Sequence, residues 1–62
     1  MTDAEHAVLV GLIADYGVAN VVATLADTLV MLSENAETTE DILTYSGQAH
    51  VLQDAVIQLE AA

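Results

Sequence analysis

The chain has 62 residues and no cysteine, so we expect a single domain without disulfides or cysteine-based zinc sites. It has ten Asp or Glu and no Lys or Arg, which gives a formal net charge of −10. Nucleic-acid phosphates and anionic membrane surfaces are bound through such cations, so both are excluded as direct partners.

Aliphatic side chains are abundant for so short a chain. Hydrophobic residues make up 55% of it, and the only aromatic residues are two tyrosines. A body of this size buries only about 60% of the surface that its unfolded chain exposes. Small domains compensate with disulfides, metals or oligomerisation. The composition therefore predicts a chain that completes its core by self-association.

The first predicted helix runs from about Asp3 to Tyr16. Thr2 is its expected N-cap, and Glu5 follows at the spacing of a capping box. Gly17 is the expected C′ residue, in the left-handed conformation. The apolar face comprises Val8, Leu9, Leu12 and Ile13, with Val10 on a second edge. A single long helix kinked at Gly17 is the alternative.

The second predicted helix covers residues 18–34 and has the clearest periodicity. Apolar residues recur at spacings of three and four, which indicates one helix face. They are Val18, Val21, Val22, Leu25, Leu29 and Leu32. The small residues Ala19, Ala23 and Ala26 permit close packing. Residues 33–37 break the periodicity and are predicted to form a turn.

The third predicted helix covers residues 39–60 and opens at Thr38 or Thr39. Glu40 and Asp41 fall in its first turn, where negative charge suits the helix dipole. Its apolar residues follow the spacing of a helical bundle. They are Ile42, Tyr45, Ala49, Leu52, Val56 and Leu59.

These elements predict an all-α fold of two to three helices per chain. An antiparallel hairpin would form, completed as a homo-oligomeric, most simply dimeric, helical bundle. The two apolar stripes are the predicted core and oligomer interface. The longest run without Asp or Glu, residues 42–53, is twelve residues, against about 20 for a membrane span. With no basic signal-peptide start, the expected location is the cytoplasm.

The sequence offers little for catalysis. His6 and His50 are far apart in the sequence and do not have a metal-binding spacing. We expect each to lie at the edge of a helix face, half covered by a neighbouring helix. No Gly-x-Ser-x-Gly elbow or phosphate loop is present. We therefore predict no enzyme activity, no cofactor and no metal.

Four carboxylates fall within eight residues around the second turn: Glu34, Glu37, Glu40 and Asp41. This acidic turn is a candidate partner-binding site for a basic surface. Ordinary turn chemistry with compensation of a helix dipole is the alternative interpretation.

The stretch from Leu12 to Ala26, LIADYGVANVVATLA, resembles a pattern in short helical proteins of bacteria and phages. In that pattern a helix ends at an aromatic or polar residue plus glycine, and a Val/Leu-Ala helix follows. The resemblance covers about a quarter of the chain and implies a helix-turn-helix packing, with no activity. The absence of Lys and Arg is a departure from those proteins.

Two functional hypotheses follow. The first is a homo-oligomeric module that binds another protein through its helical surface. The second is an acidic inhibitor, or nucleic-acid mimic, that blocks the basic cleft of a nucleic-acid-binding protein. The predicted partners are a second copy and a protein with a basic or hydrophobic surface.

Overall fold

The computed structural model describes all 62 residues and contains three α-helices without strands. They are α1 (Asp3–Tyr16), α2 (Val18–Asn35) and α3 (Thr39–Ala61). The prediction of an all-helical chain is confirmed. The β-branched residues at the start of α2 are helical, because the longer apolar period outweighs their local strand preference.

Side-chain caps begin two of the helices. At α1, the Glu5 amide donates to Thr2 Oγ1 at 3.2 Å, and the Thr2 amide donates to Glu5 Oε1 at 2.9 Å. Hydrogen bonding of the Glu5 carboxylate by the Thr2 amide, and secondarily by the Thr2 side chain, lowers the pKa of Glu5 and keeps it charged beside the helix dipole. At α3, Thr38 is the N-cap, and its Oγ1 accepts from the Asp41 amide at 3.1 Å.

Gly17 separates α1 from α2. Its φ of 84° and ψ of 154° differ from the left-handed conformation that we expected, and this extended region is open in practice only to glycine. The Gly17 amide donates to the Ile13 carbonyl, and Asn20 Nδ2 donates to the Tyr16 carbonyl at 2.7 Å. The chain changes direction by 117° between α1 and α2. The chain therefore bends sharply here, and the single long helix is wrong.

Helices α2 and α3 pack together as the predicted hairpin. Each contributes one fully buried residue, Ala26 at 1% exposure and Ala49 at 2%. No larger side chain is fully buried in the chain. The hairpin thus closes on small side chains, and the larger aliphatic groups lie beside this contact and are only partly covered.

The face of α2 that packs against α3 lies to one side of the predicted α2 stripe. The buried residue Ala26 directly follows Leu25, an exposed member of that stripe. Because one residue turns an α-helix by about 100°, the two side chains leave the helix in different directions. The half-buried members of the two predicted stripes are Val21, Val22, Leu29, Tyr45, Leu52 and Val56. The members that remain exposed in the single chain are Val18, Leu25, Leu32, Ile42 and Leu59. Ala26, whose small size was expected to permit close packing, is the most buried residue.

Helix α1 lies apart from the hairpin. It contacts α2 but not α3, and none of its residues is buried. The Cα radius of gyration is 13.1 Å, whereas a compact chain of this length has about 10.6 Å. The single chain is accordingly open and flat, with extents of 36 × 31 × 14 Å.

Candidate functional site

A groove lies between α1 and the first half of α2. Its volume is about 510 Å³. The residues that line it are Leu9, Leu12, Tyr16, Asn20, Val21, Ala23, Thr24 and Leu25. None of them is charged. The bend at Gly17 creates this groove, because it directs α1 away from the axis of α2.

Two polar side chains of the groove donate hydrogen bonds to backbone carbonyls. Thr24 Oγ1 donates to the Asn20 carbonyl at 3.0 Å, and Asn20 Nδ2 donates to the Tyr16 carbonyl. Their donors are therefore directed along α2 and across the helix break. The remaining lining is aliphatic or aromatic, which suits an apolar occupant.

The middle of α1 extends this apolar surface. Residues 7–14 contain no charged or hydrogen-bonding side chain. Val8 is 61% exposed and Val10 is 55% exposed, on different sides of the helix. Large exposed apolar patches mark interaction surfaces. We refer to the groove together with residues 7–14 as the α1 surface.

Part of the α1 surface was predicted from the sequence. Leu9 and Leu12 were expected on one face of α1, and Val21 and Leu25 in the stripe of α2. The groove was not predicted, because the angle between the helices depends on the backbone conformation of Gly17. The pairing of a glycine break with apolar residues on both sides was the available signal.

The acidic turn is exposed at the α2–α3 end of the hairpin. Glu40 and Asp41 lie in the first turn of α3, where the helix dipole favours them. Glu34 lies in the last turn of α2, where the dipole opposes a negative charge. Glu37 lies in the connection between the helices. The chain has no Lys or Arg to compensate these charges.

The two histidines are both exposed and lie in different helices. His50 Nε2 is 3.8 Å from Asp54 Oδ2 on the same face of α3, so the two form an ion pair when His50 is protonated. His6 lies in the first turns of α1. No group of three or more His, Asp or Glu side chains is arranged to hold a metal ion.

None of the three helices alone has the length and hydropathy of a membrane span, whereas α1 and α2 taken together across their bend reach both. No protein-family model, curated protein or solved structure matches the chain. The resemblance to short bacterial and phage helical proteins stays a prediction.

Proposed function

We propose that this chain is a homo-oligomeric helical interaction module, which binds protein helices through apolar surface and has no catalytic role. Its first partner is a second copy of itself. The proposal rests on how few residues the single chain buries: only two alanines are fully covered.

The accessible surface supports this proposal. The chain exposes 4738 Å², whereas a compact monomer of 6.5 kDa exposes about 3,800 Å². The excess is roughly 900 Å², close to the area of about 800 Å² that each partner contributes to a standard interface. Many of the exposed side chains are large and aliphatic. Association with a second copy would cover them without a disulfide or a metal.

The acidic turn favours a second candidate function. An inhibitor of a basic cleft would present exposed carboxylates without internal cations, and this turn does so. The position of Glu34 favours this function. Its negative charge lies in the last turn of α2, where the helix dipole opposes it, and this lowers the stability of the isolated chain. A basic partner would turn that local cost into a favourable contact.

Ionic strength distinguishes the two candidates. We expect light scattering to show self-association that strengthens from low to high salt, because salt screens the repulsion between two copies of charge −10. Docking onto a basic protein would weaken under the same change. A monomeric mass at every salt and protein concentration would contradict the self-associating module.

A further inference from the structure

The middle of α1 is apolar around its whole circumference. Successive residues of an α-helix lie about 100° apart, so residues 7–14 cover every side of the helix. Helices that are hydrophobic on all sides are typically buried in a larger core. In the single chain α1 meets only α2, and both Val8 and Val10 remain more than half exposed. Most of this helix therefore lacks a partner.

The groove beside α1 provides a complementary surface. It is uncharged and mainly apolar, and its volume is about 510 Å³. All of its lining residues belong to α1 and α2, and none to α3. The chain thus carries both an unpartnered apolar helix and an apolar groove next to it.

We propose that α1 of a second copy packs into this groove, so that two α1 helices pair about a two-fold axis. This inference rests on the proposed self-association and specifies its interface. In a two-fold contact the same patch serves both subunits, so each copy would supply a groove and the helix that fills the other groove.

Charge supports a second copy as the occupant. Two chains of charge −10 repel each other, and the repulsion is smallest where they meet through surfaces without carboxylates. The α1 surface is such a region, because neither the groove lining nor residues 7–14 include a charged side chain. A basic partner would instead gain most from the acidic turn, at the other end of α2.

A matched pair of valines tests the inference in the full chain. Val8 lies on α1 and is 61% exposed, and Val51 lies on α3 and is 66% exposed. Val8→Glu and Val51→Glu add the same charge at similarly exposed helical positions. We expect sedimentation equilibrium to show a dimer for the wild type and Val51→Glu, and a monomer for Val8→Glu that retains helices α2 and α3 by circular dichroism.

The outcomes separate the interface from the proposed function. A wild-type dimer with Val8→Glu equally dimeric, or with both variants equally weakened, would overturn the pairing of α1 while leaving self-association intact. A wild type that is monomeric at every concentration would overturn both.

A milder pair covers the case in which Val8→Glu fails to fold. Val8→Ala removes two methyl groups from an exposed side chain, and the change occurs twice in a symmetric dimer. We expect its dissociation constant to rise by at least about tenfold, against less than about twofold for Val51→Ala. Equal dissociation constants for the two variants would overturn the inference.

Discussion

Gly47 and Gly17 differ in whether their backbone conformation would accept an alanine. Gly47 lies in the interior of α3, is exposed, and has no atom within 4 Å of the position that a Cβ would occupy. Gly17 also has open space around it, but its φ of 84° is strained for any other residue. Space therefore permits a methyl group at both positions, whereas conformation permits it only at Gly47.

We expect Gly47→Ala to raise the free energy of unfolding by about 0.5–1 kcal/mol, because alanine loses less conformational freedom on entering a helix. Gly17→Ala should lower it by about 1–3 kcal/mol, because the extended positive-φ region is closed to alanine. Chemical denaturation of both variants beside the wild type measures the two signs. A loss of stability in Gly47→Ala would show that another backbone packs against α3 there.

At the scale of the element, α1 differs from the other two helices. It has 14 residues and a complete capping box, but no buried side chain. Isolated helices of this length are marginal in water, and most helical stability in proteins comes from tertiary packing. We therefore expect the stability of α1 to depend on whether its apolar surface is covered.

We expect the helical signal to fall by up to about a quarter when the protein is diluted from dimer to monomer, because α1 holds that share of the helical residues. Circular dichroism at constant salt across a dilution series measures this loss. The Val8→Glu variant is the control, since its signal should already be low and independent of concentration. A constant wild-type signal during dissociation would contradict the coupling.

Features that depend on local sequence were predictable. The starts of α1 and α3 were predicted because Thr2 and Thr38 are local capping signals. The hairpin was predictable from two apolar stripes and a short polar turn. The packed face of α2 was not, because a stripe of Leu and Val marks apolar surface without distinguishing the side that meets α3. The small size of Ala26 was visible in the sequence, but periodicity did not distinguish it from Ala19 and Ala23 as the residue at that contact.

The groove lay beyond sequence reasoning for a related reason. A glycine after Tyr16 predicts a break, but the angle between α1 and α2 depends on ψ at Gly17 and on how the helices then pack. Residues such as Asn20 and Thr24 acquire their place in the groove only through that angle. Sequence periodicity treats each helix separately and cannot supply it.

At the scale of the molecule, the single chain leaves a large part of its surface uncovered. Its radius of gyration and accessible area both exceed those of a compact monomer of the same size. The charge of −10 opposes association but lies outside the α1 surface. In the proposed dimer, apolar burial would determine where the two copies meet, and charge repulsion would disfavour other arrangements.

Self-association can be measured by sedimentation equilibrium of the wild-type chain in physiological salt, from micromolar to millimolar concentration. We expect a mass that reaches twice 6.5 kDa and falls towards the monomer on dilution. A fully helical chain that sediments as a monomer throughout this range would contradict it.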